Sequence, residues 1–152
     1  MACYQLHREQ FVPKPRAEVF AFFSDARNLE AITPGFLNFR ITTPGSIAIA
    51  AGTLIDYRLR LFGVPFSWRT QIETFEPSDR FSDVQLRGPY KLWHHTHEFF
   101  DAPGGTRMTD HVEYELPLGP MGTIAHALVI RRMLGKIFDF RRDEIAKLFP
   151  AA

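Results

Sequence analysis

The stretch from Gly119 to Phe149 constrains the fold more than any other. It opens on Gly119-Pro120, and proline fits the first turn of a helix because its missing N–H has no intrahelical partner there. It stops at Pro150, which cannot continue a helix. The roughly 28 residues between would span about 40 Å. Placed at 100° per residue, Ala127, Ile130, Leu134, Ile137, Phe138, Ile145, Leu148 and Phe149 form one broad apolar stripe, with Arg132, Lys136, Asp139, Asp143 and Lys147 opposite. A helix this long with one dry face has to lie on a large apolar surface, and a curved sheet is the natural supplier. Arg141 interrupts the stripe. Either its stem packs on apolar surface while its head reaches water, or it points into a cavity and meets a polar group. A second strip, Val129, Met133 and Phe140, reads as packing against short helices, with a partner surface as the alternative.

The preceding chain supplies the strands. Residues 3–12 form a first strand carrying Tyr4, Leu6 and Phe11, ended by Pro13 and Pro15. Arg16 to Phe23 is helical in pattern, with Val19, Phe20 and Phe23 on one face. Ser24 or Asp25 can cap a second short helix, which carries Leu29 and Ile32 and stops at Thr33-Pro34-Gly35. Period-two alternation then marks strands at 36–43, 54–62, 66–76, 81–87, 91–100 and 107–116, with 44–52 as a loop. Gly63-Val64-Pro65, Pro77-Ser78-Asp79, Gly88-Pro89 and Pro103-Gly104-Gly105 are the turns. Sequential antiparallel strands make a meander that curls, and the first strand can pair with the last. The expected fold is α+β: a helix grip, with a seven-stranded curved antiparallel sheet wrapped around the long C-terminal helix. Two short helices follow strand 1 and plug one end, and residues 1–152 make one domain.

Size and charge narrow the function. The 152 residues are 45% hydrophobic with a net charge of +1, and interspersed signs do not make the basic stripe of a nucleic-acid binder. No apolar run approaches the roughly 18 residues of a membrane span, and the N-terminus lacks the apolar core of a signal peptide. A single Cys3 excludes an internal disulfide and a multi-cysteine metal site, and suits a reducing cytoplasm. The fifteen Phe, many at alternate strand positions, suit a scaffold that lines a concave apolar interior.

The densest titratable cluster is Trp93-His94-His95-Thr96-His97-Glu98. Alternate strand side chains point to opposite faces, so Trp93, His95, His97 and Phe99 share one face, as do Met108, Asp110, Val112 and Tyr114 on the next strand. A hairpin turning at Pro103-Gly104 sets Phe99 opposite Met108, His97 opposite Asp110 and Trp93 opposite Tyr114. A one-residue slip would undo that register. A carboxylate fixes an imidazole's tautomer and raises its pKa, so His97 and Asp110 are the candidate acid/base groups, the candidate ligand anchor, or a brace between strands. His95 and His97 with Asp110 also have the makings of a three-ligand metal site, but nothing else argues for a metal and none is assigned. Asp83 and Gln85 share the parity of Phe81, while Val84 and Leu86 compete for the inner face, and the sequence leaves that register open. Arg141 can close the patch from the helix and would suit an anionic ligand head. The expected lining is Tyr57, Leu59, Trp68, Trp93, His95, His97, Asp110, Val112, Tyr114, Leu134, Phe138 and Arg141. No nucleophile elbow, phosphate loop or dinucleotide fingerprint is present.

The order of elements resembles the START / Bet v 1-like superfamily, which includes polyketide cyclases and lipid-transport proteins. The resemblance is carried by Val19-Phe20-Ala21-Phe22-Phe23 followed by Asp25 and Leu29, and by Gly88-Pro89-Tyr90 with Trp93, His95, His97 and Phe99. Gly105-Thr106, Asp110, Val112, Tyr114, Pro117-Leu118-Gly119-Pro120 and Ile137-Phe138-Asp139-Phe140-Arg141-Arg142 extend it over nearly the whole chain and point to a bacterial branch of ligand-binding proteins. It implies a cavity between sheet and helix that binds or carries a small, mainly hydrophobic or amphipathic molecule without a cofactor. The superfamily also holds enzymes, so a cyclase or dehydratase using His97 and Asp110 is the alternative, and an interaction module without a small ligand is the third reading.

Overall fold

The structure is a computed structural model and describes residues 3–45 and 47–150. Strand β1 (Tyr4–Val12) leads into helix α1 (Arg16–Phe23) and two 3-10 segments, Ala26–Ile32 and Gly35–Leu37. Then come β2 (Arg40–Ile41), β3 (Leu54–Leu61), β4 (Val64–Glu76), β5 (Arg80–Arg87), β6 (Leu92–Ala102) and β7 (Gly105–Glu115). The last helix, α2, runs as α-helix over Pro120–Ala125, as one π-helical stretch over His126–Ile130, and again as α-helix over Arg131–Leu148. The seven strands form one antiparallel sheet in the order β1-β7-β6-β5-β4-β3-β2, so β1 closes on β7. This is the helix grip expected from the sequence.

Three local expectations need correction. Of the strand expected at 36–43, only Arg40–Ile41 pairs. Pro34-Gly35 starts a 3-10 turn that ends on Asn38 in the left-handed region (φ 46°), a conformation asparagine tolerates better than most residues. The second short helix is 3-10 rather than α, although Asp25 caps it by accepting from the Arg27 N–H. The apolar stripe of α2 holds at Leu134, Phe138 and Ile145, which are buried, but Ala127 and Leu148 are exposed. Of the second strip, Met133 is buried and Val129 is exposed.

The interior divides in two. One cluster gathers Phe20 and Phe23 of α1 with Phe81 and Phe99 of the sheet and Ile145 of α2. Phe20 meets the Phe99 and Phe81 rings edge-on at 5.2 and 5.9 Å, so the helix seals one end of the sheet with aromatic contact. The other cluster gathers Trp68, Tyr90, Trp93, Val112 and Tyr114 with Leu134 and Phe138. Fully burying side chains of this size is worth roughly 1.5–3 kcal/mol each, which is what holds α2 across the sheet.

Candidate functional site

The polar cluster grows out of the β6–β7 hairpin. Ala102 pairs with Gly105 across Pro103-Gly104, and from there Phe99 faces Met108, His97 faces Asp110 and Trp93 faces Tyr114. On the other side of β6, Phe81 faces His97 and Asp83 faces His95. Each histidine nevertheless reaches its diagonal neighbour, which long side chains on a twisted sheet can do. His95 Nε2 lies 2.9 Å from Asp110 Oδ1, and His97 Nε2 lies 3.2 Å from Asp83 Oδ2. His97 Nδ1 is also 3.2 Å from Asp110 Oδ1. The two imidazoles stack on each other with centroids 3.8 Å apart, and His97 stacks on Phe81 at 4.3 Å.

Arg141 comes down from α2. Its Nη2 is 3.5 Å from Asp110 Oδ1, and its side chain is only 11% exposed. The guanidinium sits between the Phe23 and Phe138 rings, 5.5 and 5.8 Å from their centroids. The stripe-breaking arginine therefore points inward. Its Nη2 also lies 3.5 Å from His97 Nδ1, close to the Asp110 oxygen that both approach.

These contacts bias the protonation of each group. Both ring nitrogens of His97 lie 3.2 Å from carboxylate oxygens, an arrangement that favours the imidazolium. Burial opposes that charge, but the hydrogen bonds to Asp110 and Asp83 outweigh it and raise the His97 pKa. His95 goes the other way: burial, then the charge of His97, push it down to about 4, so it is neutral and donates Nε2–H to Asp110. Burial works against charge on Asp110 too, yet Arg141, His95 and His97 hold it well below the usual carboxylate range. Burial would also raise Asp83, but the hydrogen bond from His97 and the charges around it lower its pKa.

Beside this cluster lies a cavity of about 150 Å³ between the sheet and α2, roughly the room a single aromatic ring occupies. Of the expected lining, Tyr57, Leu59, Trp68, Trp93, His95, His97, Leu134, Phe138 and Arg141 border it. Asp110, Val112 and Tyr114 do not: they are buried behind it, with Val112 and Tyr114 in the aromatic cluster and Asp110 enclosed by its three cationic or donor neighbours. The carboxylate that does border the cavity is Asp83, which settles the open register of β5 in favour of Phe81 and Asp83 inside. Gln85 instead braces the next loop: its Nε2 donates to the Tyr90 carbonyl at 2.7 Å, and its Oε1 accepts from the Tyr90 N–H. That brace sets Tyr90 into the wall against Trp68 and Trp93.

Sequence reasoning missed Tyr90 and the floor, which includes Leu29, Leu37 and Ile49. The alternation of Leu37, Phe39 and Ile41 was the available signal for part of it, since Leu37 and Phe39 do face inward even though most of that stretch is not a strand.

Asp83, His95 and His97 each offer a potential metal-ligating atom, all within 4.8 Å of one another. Holding a cation there would require His97 to lose its proton and Asp83 to leave it, with the Arg141 charge close by and the two imidazole planes stacked. The donor set fits an internal ion network better than a metal. Among the described residues, Trp68 Nε1, Ser82 Oγ and Arg141 Nε are buried without a hydrogen-bond partner.

Residues 12–139 match the model of a family described as polyketide cyclase / dehydrase and lipid transport. Among curated proteins, none matches the chain in sequence. Solved structures share the fold. Protein CV1439 from Chromobacterium violaceum is 13% identical with a TM-score of 0.73, over 99% of this chain and 98% of that one. Major latex-like protein 151 from Panax ginseng is 12% identical with a TM-score of 0.69, over 98% and 99%. Ara h 8.0201 is 16% identical with a TM-score of 0.62, over 96% and 99%. Among the described residues, no helix is long and apolar enough to cross a membrane.

Proposed function

The chain belongs to the polyketide cyclase / dehydrase and lipid transport family, and on that footing we propose that it is a binding protein, a carrier or sensor that holds a small, mainly apolar molecule between sheet and helix. The observation that carries this reading is the cavity itself: a largely aromatic and aliphatic wall in which the Asp83, His95, His97 and Arg141 side chains form one cluster. Concave, mostly apolar sites with a few convergent polar groups are what small-molecule binding requires. The free, exposed Cys3 supports a cytoplasmic setting as part of the same proposal.

Trp68 and Trp93 border the cavity, so ligand entry should change tryptophan fluorescence. Titration with 4-ethyltoluene, an uncharged single-ring probe, should give a saturable change. Leu59→Trp, which fills the space beside a buried wall residue, should abolish binding while the protein still unfolds cooperatively. Absence of saturable binding, or binding that survives the filling substitution, would refute the reading.

A second reading rests on one observation: His97 borders the cavity with a carboxylate at each ring nitrogen, which favours the imidazolium, and an imidazolium is a competent general acid. In a cyclase or dehydratase its Nε2 proton would pass to a bound substrate by way of Asp83, the carboxylate it faces on the cavity wall, with Asp110 behind it as the positioning carboxylate. Turnover of a hydroxylated aromatic substrate that is lost in His97→Gln, with binding retained, is the result this reading needs.

A further inference from the structure

We propose that the ligand is an uncharged, largely apolar molecule whose hydroxyl donates a hydrogen bond to Asp83. This deepens the binding reading and rests on it. The first premise is charge. Asp83 and Asp110 are balanced by the His97 imidazolium and Arg141, each within 3.5 Å of a partner of opposite sign. The cluster is neutral by itself, so an anionic head would add an unmatched charge to an apolar interior, where an unpaired ion is very costly. The anionic head suggested by Arg141 alone is therefore disfavoured, because that guanidinium already faces Asp110. A cationic head would compete with the His97 proton for Asp83 and gain little.

The second premise is geometry. Asp83 is the carboxylate that borders the cavity, and its side chain is 18% exposed against 10% for Asp110. Its Oδ2 faces His97. Its Oδ1 has one hydrogen-bond contact among the described residues, a long one of 3.4 Å from the Thr70 hydroxyl, which is closer to the Val84 carbonyl at 3.1 Å. A hydroxyl has one proton to give, so Thr70 serves the carbonyl and leaves Oδ1 of this cavity-lining carboxylate without a close donor among the described residues. An ionised carboxylate only accepts, and so the ligand must donate. The unpartnered donors Trp68 Nε1 and Arg141 Nε have almost no accessible surface, so neither can meet a ligand acceptor as the wall stands.

Isothermal titration of three single-ring probes tests this: 4-ethylphenol, its methyl isostere 4-ethyltoluene, and the anion 4-ethylbenzoate. The phenol should bind roughly ten-fold more tightly than the toluene, as a hydrogen bond to a charged acceptor allows, and the benzoate should bind most weakly. Asp83→Leu should remove the phenol preference while leaving 4-ethyltoluene binding intact, and Thr70→Val should keep the preference. If Asp83→Leu does not fold, the ranking of the three probes on the unaltered protein decides alone. Equal binding of phenol and toluene, or tighter binding of the benzoate, overturns the proposal but leaves the cavity reading standing. Failure of all three probes overturns both.

Discussion

Asp110→Asn separates an ion network that holds the fold from one that only decorates it. The substitution keeps the shape of the side chain and removes one charge. In the native protein that carboxylate accepts from His95 at 2.9 Å and faces His97 at 3.2 Å and Arg141 at 3.5 Å, with its side chain 10% exposed. Without the charge, two cations share the single carboxylate of Asp83. Breaking a buried pair by removing one partner costs about 3–5 kcal/mol. The amide oxygen can still accept from His95, and His97 can relieve the excess by losing its proton, so the lower end, about 3 kcal/mol, is expected. Two measurements check the argument: urea unfolding for the loss of stability, and an NMR titration of the His97 ring, whose pKa should fall because Asp110 is its largest stabilising partner. Adding Arg141→Leu removes the stranded guanidinium, so the double variant should lose less than the sum of the two singles. A loss under about 1 kcal/mol with an unchanged His97 titration would show that the cluster is not a coupled buried network.

Stability should peak near neutral pH, for reasons of opposite sign. His95 is depressed to about 4 in the folded protein, so between its ordinary value near 6.5 and about 4 the unfolded chain takes up a proton the folded one refuses, and stability falls as pH drops, by up to about 3 kcal/mol. The lowered pKa values of Asp83 and Asp110 add a further loss as pH falls below the ordinary carboxylate range, while the raised pKa of His97 gives stability that is lost as pH rises through its folded value. Flat stability between pH 6.5 and 4 in urea melts would contradict the His95 shift, and flat stability below the ordinary carboxylate range would contradict those of Asp83 and Asp110. Phe138→Ala, at a buried position in the stripe, should cost about 3–4 kcal/mol. Ile137→Lys, at a half-buried position where the lysine can reach water, should cost less than Phe138→Ala in the same assay. Gly122→Ala should also destabilise strongly, because a Cβ there would sit 2.3 Å from the Pro117 carbonyl oxygen, and only backbone movement could make room.

What the sequence revealed, and what it hid, follows from how local the determinants are. The His97–Asp110 register was legible because a glycine turn, strand parity and the aromatic brackets Trp93 and Phe99 all act within one hairpin. Arg141 was legible as an exception in a helical stripe. The placement of Asp83 was not, because β4 changes register twice against β5, between Arg69 and Thr70 and between Ile72 and Thr74, and bulges carry no strong residue signature. The floor of the cavity depends on how the 3-10 segments and the 44–52 loop dock, as in the backbone bridge from Asp25 to Ala48, and those contacts are set by tertiary packing rather than periodicity. For the same reason the division of labour between the carboxylates was hidden. Asp110 reads from sequence as the ligand anchor, but it is the enclosed one, and Asp83 borders the space.

The π-helical stretch of α2 has a physical cause that can be tested. His126 is anchored to the sheet: its Nε2 is 2.7 Å from the Tyr114 hydroxyl, and its ring stacks on Tyr4 at 3.5 Å. Leu134, Phe138 and Ile145 are anchored to the same sheet further along. In a regular α-helix His126 would stand about 80–120° around the axis from those three residues, too far to share their face. A π stretch amounts to one inserted residue in an α-helix, which brings His126 within about 20° of them. The extra residue is carried on the outside, as the exposure of Ala127, Leu128 and Val129 shows. Deleting Ala127 should therefore convert His126–Ile130 to regular α-helix with both anchors kept, at a cost within about 1 kcal/mol in urea unfolding, whereas deleting Ala146, which lies in regular helix, should rotate Phe149 away from its edge-on contact with Phe22 at 5.3 Å. In the Ala127 deletion the His126 ring should still titrate below its ordinary range, as burial beside Arg131 requires. A deletion that unfolds the protein, or that frees His126 to titrate as an exposed imidazole, would show that the π stretch is not a device for bringing two anchors into phase.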